Sequence, residues 1–384
     1  MRKICSLIII GFPNLYHKVE VWDLFVLTIL DQLKITSMCK FLIITLVIIN
    51  VACSSNTERD FVYSEPKFRE VYAAQLHHLN DELMMRMTDH FMMCDSVIIF
   101  PAKNADNNNV FQLLSADNGR LITSFAYLGR SAEELSNYKL MSVDAKRGLL
   151  FAMDNSNRHI TIDLNRVLNN EKQYVVASGR YKGDFPTSRA IHWRNGQLLQ
   201  MGGYPTDRFF VTDEKCDTLL RYNVLPSLTA TIDQDEMLHK RYFVYNSHYA
   251  VRPDGRKIAN VTTNGMLLEI LDVKDKGISH AEIKYFYEPK LENSNMGKPD
   301  CVFGASHICA TDDYIYVLYY DTTIEELANA KPKIGVFDWR GNEKRCYELN
   351  DMVATFAISD DEKRAYCWAY DSEGEEYFGY FDLK

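Results

Sequence analysis

The sequence has no apolar run long enough to cross a bilayer as a helix, which takes about 20 residues; the uncharged run Phe41–Ala52 (FLIITLVIINVA) has 12. It has no excess of basic charge either. There are 43 Lys and Arg against 52 Asp and Glu, a net charge of -9. That excludes a general nucleic-acid binder, because attraction to phosphates needs surplus Lys and Arg. There is no phosphate-binding glycine loop, no Gly-x-Ser-x-Gly elbow and no His-Glu-x-x-His, which leaves open only sites assembled from several segments. Collagen-like and coiled-coil patterns are absent. A content of 47% apolar and 25% charged residues excludes disorder as the main state. Aromatic residues are plentiful, at 12%, with 23 Tyr and 20 Phe, and favour strands over helices.

The N-terminus reads as a targeting segment. Phe41–Ala52 has the length of the apolar core of a secretory signal, with Lys40 before it and Cys53, Ser54 and Ser55 after. The set resembles a bacterial lipoprotein signal, in which the cysteine, here Cys53, is lipidated and becomes the mature N-terminus. Asn50 stands where such signals usually have Leu. A start at Met38 would make a well-proportioned signal, so residues 1–37 are expected to be untranslated. This divides the chain into a leader, 1–53, and a body, 54–384. Five of the basic and three of the acidic residues lie in the leader, so the body carries a net charge of -11. An acidic exported body would meet the membrane only through its lipid, with the outer membrane of the cell envelope as the expected location.

Three of the nine cysteines, Cys5, Cys39 and Cys53, belong to the leader. The remaining six, Cys94, Cys216, Cys301, Cys309, Cys346 and Cys367, are even in number, which permits disulfides in an oxidising compartment. Their spacing is irregular and most sit in strand-like runs. Buried free thiols are expected.

The body repeats. A short apolar strand, a tight Asp/Asn/Gly turn and a second apolar strand recur six times, as HFMMCDSVIIF, LMSVDAKRGLLFAMD, AIHWRNGQLLQM, HYAVRPDGRKIANV, HICATDDYIYVLYY and FAISDDEKRAYCWAY. The turns fall at Asp95, Asp144, Asn195, Asp254, Asp312 and Asp360, spaced by 49, 51, 59, 58 and 48 residues. Such turns accept positive φ and make tight hairpins. Two further strand candidates follow in most units, for instance 266–273 and 283–287, or 333–339 and 346–349. Four strands in about 50 residues is one blade of a propeller. The predicted fold is all-β, a six-bladed β-propeller of four-stranded antiparallel blades. The last unit lacks its outer strand, and the extended stretch 61–76 is expected to supply it and close the ring, removing open edges. The competing reading of 70–87 is a helix.

The hairpin HYAVRPDGRKIA resembles the Pro-Asp-Gly repeat of TolB-type propellers. SFAYLGRSAEEL is similar to the Gly-Arg-rich loop, roughly Gly-Arg-Gly-Pro-x-Glu, of bacterial six-bladed TolB-like propeller lipoproteins. Gly129, Arg130 and Glu133 or Glu134 match it; Ser131 and Ala132 replace its second Gly and its Pro. The resemblance spans about 60–384 and implies the propeller fold and lipid anchorage.

Candidate chemistry centres on His192, His248 and His307, each on the first strand of its unit, which in propellers lines the central channel. Three imidazoles from consecutive blades could hold a divalent metal; separate, backbone-bonded histidines are the alternative. Arg189, on the strand of His192, could face the same channel and contact a carboxylate. Cys301, His307 and Cys309 lie within nine residues but have no second half of a tetrahedral site. The 106–109 and 321–323 loops carry oxygens without the order of a calcium loop. Gly129 and Arg130 could hold an anion or pack between blades. The expected function is a non-catalytic binding or scaffold module for a protein, peptide or glycan. The alternative is a metal-dependent lyase or hydrolase at the channel.

Overall fold

A computed structural model describes residues 62–80, 90–101, 108–181, 187–193, 196–202, 207–213, 215, 217–223, 225–226, 246–274, 277–290 and 297–384. Cys53, Asp106, Asn107, Asn195 and Cys216 lie outside them.

Two short strands, β1 (Glu70–Ala74) and β2 (His77–His78), precede six sheets. Blade one comprises β3 (Met92–Cys94), β4 (Val97–Pro101), β5 (Asn109–Ser115) and β6 (Leu121–Tyr127). Blade two has β7 (Leu140–Asp144), β8 (Leu149–Met153), β9 (Arg158–Asp163), helix α1 (Leu164–Leu168) and β10 (Val175–Arg180). Blade three has β11 (Thr187–His192), β12 (Leu198–Gly202), β13 (Phe209–Thr212) and β14 (Thr218–Tyr222). Blade four has β15 (Ser247–Val251), β16 (Lys257–Thr262), β17 (Met266–Lys274) and β18 (Gly277–Tyr287). Blade five has β19 (Val302–Ala310), β20 (Tyr314–Thr323), β21 (Lys333–Asp338) and β22 (Glu343–Leu349). Blade six has β23 (Met352–Ile358), β24 (Arg364–Tyr370) and β25 (Glu376–Asp382). Within each blade the strands follow chain order and pair antiparallel. This is the six-bladed propeller the repeat predicts.

The period of two along each strand builds the ring. In blade one, Val97, Ile99, Phe111 and Leu113 face blade two and join Met141, Leu150, Ile160 and Ile162. Their alternates Ile98, Phe100 and Leu114 face blade six and meet Tyr366, Trp368 and Phe378. The other four seams are filled likewise, between blades two and three, three and four, four and five, and five and six. Inner strands are therefore apolar on both faces, as in Leu149–Met153, where every residue is buried. Outer strands such as β10 and β14 are largely exposed.

Closure uses the N-terminal segment, divided over three blades. Ser64 donates its backbone N–H to the Tyr285 carbonyl on β18 at 3.1 Å, and the Tyr63 ring sits edge-on to Tyr285. Phe68 then enters the seam beside Tyr319 and Phe337. β1 adds a fifth, parallel strand to blade five by pairing with β22. β2 supplies the outer strand of blade six by pairing antiparallel with β25. Residues 70–74 are thus strand rather than helix, because their backbone groups find an open sheet edge. Residues 81–89 lie outside the described residues.

The turns follow a rule that the sequence analysis did not state. Asp154, Asp213, Asp338 and Asp371 each accept, through one carboxylate oxygen, the backbone N–H groups two and four residues on, at 2.8–2.9 Å. The Asx geometry closes the hairpin locally. Gly196 and Gly255 hold φ of 73° and 70° in their turns, a region open to glycine at no steric cost.

Candidate functional site

The innermost strands β3, β7, β11, β15, β19 and β23 form the inner edge of the six sheets; β3 touches β7, β7 touches β11, β15 touches β19, β19 touches β23 and β23 touches β3. Counting back five or six residues from each turn meets a polar residue on, or two residues before, the first strand of five blades. His90 and His307 lie five residues before Asp95 and Asp312; Tyr138, Arg189 and His248 lie six before Asp144, Asn195 and Asp254. The structure brings four of them together in pairs, His248 with His307 and His90 with Tyr138. His248 and His307 face each other from adjacent blades, with ring centroids 6.4 Å apart and planes inclined at 59°. His307 also lies edge-on to Phe356 of β23, at 5.4 Å. The ring of His90 is hydrogen-bonded to the Tyr138 hydroxyl.

Alternation explains who points where. Ala250 packs with blade five while Tyr249 packs with blade three, so His248, in step with Ala250, faces blade five. On β11, Ala190 packs towards blade two and Ile191 towards blade four. Arg189 therefore projects on the blade-four side, and its charge bears on both His248 and His307.

The electrostatics of the group are one-sided. Burial, then Arg189 and His307, hold the His248 imidazole well below its ordinary pKa. Burial, then Arg189 and His90, push His307 down to about 3, against the Phe356 carbonyl, which favours the charged ring. Desolvation disfavours an imidazolium, and a neighbouring cation disfavours it further. Both rings are neutral at pH 7, and among the described residues the fixed charge that bears on them is the Arg189 guanidinium. His248 Nδ1 is buried with no hydrogen-bond partner among the described residues.

His192 departs from this group. It lies three residues from Arg189 and so on the opposite strand face. Its ring sits edge-on to Phe151 of blade two at 6.3 Å, and its backbone N–H donates to Ser142 Oγ at 2.6 Å. Of the three histidines that could have held a metal, His248 and His307 approach each other and His192 faces Phe151 instead. Among the described residues, no three His, Cys, Asp or Glu side chains are grouped to hold a metal ion. Cys301, His307 and Cys309 are likewise apart in role: Cys301 Sγ accepts from the Lys290 N–H at 3.3 Å, and Cys309 donates to the Phe356 carbonyl at 3.2 Å. The described thiols, Cys94, Cys301, Cys309, Cys346 and Cys367, are all free.

The Gly129 loop is built as a clasp. Arg158, itself bonded to the buried Asp154 at 3.0 Å, donates to the Gly129 and Ser131 carbonyls at 2.8 and 3.3 Å. The Glu134 carboxylate accepts from the Ser131 N–H at 2.9 Å, and a Cβ on Gly129 would stand 1.9 Å from it. Arg130 is exposed at the tip. Asp321 accepts from Lys333 at 3.2 Å and is bonded to Tyr287, so it staples blades four and five.

A buried polar network escaped the sequence analysis. Arg208, ahead of β13, forms a two-pronged ion pair with Glu269 of β17, which also takes hydrogen bonds from Asn260 and His280, each at 2.8 Å. It links blades three and four. His90 and Tyr138 were missed as well, although the repeat held the signal: the units of blades one, four and five all open on His.

A six-bladed β-propeller with a basic ring on its innermost strands is the class these features define. The chain belongs to the TolB-like 6-blade propeller-like family, whose profile matches residues 67–361. Its fold is similar to that of a protein of Bacteroides fragilis NCTC 9343 named as exported, at 16% identity and a TM-score of 0.50, with 84% of this chain and 99% of that chain covered. Hydrazine synthase of Kuenenia stuttgartiensis is similar at 10% identity and a TM-score of 0.41, covering 80% and 76%. No curated protein matches the chain. Among the described residues no helix is long and apolar enough to cross a membrane.

Proposed function

We propose that this propeller is a non-catalytic binding module of the bacterial cell envelope, exported, tethered by a lipid on Cys53 at the outer membrane, and presenting its channel face to a protein, peptide or glycan. The observation that carries the binding reading is the basic ring. His248 and His307 meet from adjacent blades, and among the described residues the charge that bears on both is that of Arg189 from a third blade. Such a group can attract and orient a ligand through the guanidinium and the imidazole nitrogens. Export is supported by the leader and by the kinship in fold with a protein named as exported. The metal-dependent lyase or hydrolase reading loses its support with the departure of His192.

The test has two arms. Intact mass and palmitate labelling of the membrane fraction should show diacylglyceryl modification lost in Cys53→Ser; an unmodified chain overturns the anchor. A photo-crosslinker placed at Phe356, beside the ring, should capture an envelope peptide, protein or glycan saturably, with unlabelled protein competing. Absence of any saturable ligand overturns the binding reading.

A further inference from the structure

We propose that the propeller face formed by the turns between first and second strands is a self-association surface, on which a second copy of this chain docks face to face about a two-fold axis. None of its residues belongs to the histidine group.

These turns join equivalent strands of the repeat, and contacts between them place them on one face. The carboxylates of Asp95, Asp144 and Asp360, from blades one, two and six, all bear on the Cys94 thiol. Lys146 of blade two donates to the Pro253 carbonyl of blade four at 3.1 Å. The Trp193 indole, next to the end of β11, donates to the Gly255 carbonyl at 2.8 Å. The Arg252 guanidinium lies over the Trp339 ring at 5.9 Å, and the Trp339 indole donates to the Thr311 carbonyl at 3.1 Å, which joins blades four and five.

Charge divides this face in two. Among the described residues, the turns of blades five, six and one carry Asp312, Asp313, Asp360, Asp361, Glu362 and Asp95 against a single base, Lys363. The turns of blades two and four carry Lys146, Arg147, Arg252 and Arg256 against Asp144 and Asp254. Both acids of the basic half are paired within their own turns, Asp144 with Arg147 at 3.8 Å and Asp254 with Arg252 at 3.7 Å, as is Asp361 with Lys363 at 2.9 Å. Asp95, Asp312, Asp313 and Asp360 on one half, and Lys146 and Arg256 on the other, are exposed and have no ion-pair partner among the described residues. The acids also crowd one another: burial, and then the Asp95 carboxylate, raise the Asp360 carboxyl above its ordinary pKa.

The division is self-complementary. Blades three and six stand opposite each other in a ring of six, so the acidic half is centred on blade six and the basic half on blade three. A two-fold axis in the plane of the face, passing between blades one and two and between blades four and five, sets blade one against blade two of the second copy and blade five against its blade four. Asp95 then faces Lys146 of the second copy, and Asp312 and Asp313 face its Arg256. Each pairing occurs twice, as an isologous contact requires. The net negative charge of the two bodies opposes their approach, but at about 0.1 M salt it is screened beyond about 10 Å, and the facing pairs decide.

The experiment is sedimentation velocity of the full chain in detergent at about 0.1 M and about 1 M salt, with isotopically light and heavy chains mixed and coupled by a carbodiimide. The expected result is a dimer at the lower salt, weakened at least tenfold at the higher, with Lys146 of one isotope joined to Asp95 of the other. Asp95→Lys with Asp312→Lys makes the face basic throughout, and Lys146→Glu with Arg256→Glu makes it acidic throughout. Each variant alone should dimerise at least tenfold more weakly than the wild type, and the two mixed should form a heterodimer as tight as the wild-type dimer. Where a variant fails to fold, the isotope pattern of the wild type decides. A monomer at the lower salt, a dimer indifferent to salt, variants that dimerise alone as well as the wild type, or cross-links confined to one isotope would overturn the inference. So would an anionic vesicle or an envelope protein that occupies this face while the chain stays monomeric.

Discussion

Arg208 and Glu269 meet across the seam of blades three and four, the guanidinium donating through both Nη atoms to the two carboxylate oxygens at 2.8 and 2.7 Å. The Glu269 side chain is fully buried and that of Arg208 nearly so. Burial by itself would raise the Glu269 pKa; Arg208 and His280 outweigh it and hold the carboxyl below its ordinary 4.5.

Removing one partner strands the other's charge in the seam. Glu269→Leu and Arg208→Leu should each destabilise the propeller by about 3–5 kcal/mol, and the double apolar replacement by much less than the sum. Urea denaturation of the four proteins checks this. Because the folded pKa of Glu269 is depressed, its stabilisation is present above pH 4.5 and is lost as pH falls through the folded value. The denaturation midpoint of the wild type should therefore drop on acidification below that point, and the drop should be shallower in Glu269→Gln.

The N-terminal segment makes a second testable seam. A Cβ on Gly335 would stand 2.6 Å from the tip of the Phe68 ring. Gly335→Ala should cost about 1–3 kcal/mol through overpacking. Phe68→Leu should relieve part of that, giving a coupling of about 1 kcal/mol in a double-mutant cycle. Additive effects would show that the segment does not seat there in solution.

Two glycines separate steric need from tolerance. A Cβ at Gly304 would meet the Gly265 carbonyl oxygen at 1.8 Å and the Thr262 carbonyl oxygen at 2.8 Å, both backbone, where β19 crosses the β16–β17 hairpin. Gly304→Ala should cost on the order of 3 kcal/mol, the upper end of overpacking. A Cβ at Gly277 would meet nothing within 4 Å, and Gly277→Ala should change stability by no more than about 0.5 kcal/mol. Thermal melts of both variants, run side by side, decide it.

Burial pushes the Cys94 thiol up to about 11 and Cys309 up to about 12, and raises Cys346 and Cys367 as well. The thiolate is the reactive form. Iodoacetamide at pH 8 should leave these four unlabelled in the native protein and label them all in urea, as peptide mass spectrometry would show. Labelling of Cys309 or Cys367 in the native state would mean that the seam between blades five and six opens.

The sequence by itself determined the blade count, because each unit carries its own strand, turn and strand within one short window, and local turn chemistry needs nothing from elsewhere. It placed strands such as 266–273 and 333–339 to within one residue of 266–274 and 333–338, since alternation and the flanking turn residues mark both ends. It also determined that the N-terminal stretch closes the ring, since the last unit is visibly one strand short. Only the tertiary structure decided how the stretch is shared, with β1 on blade five and β2 on blade six, because pairing with a distant edge leaves no periodic trace. The channel followed the same division. The histidines stand out in the repeat, but a shift of one residue turns a side chain to the other face. That parity sent His192 to Phe151 and Arg189 to the imidazoles. The Arg208–Glu269 pair was illegible for a related reason: its members are 61 residues apart, and only the stacking of two blades brings their charges together.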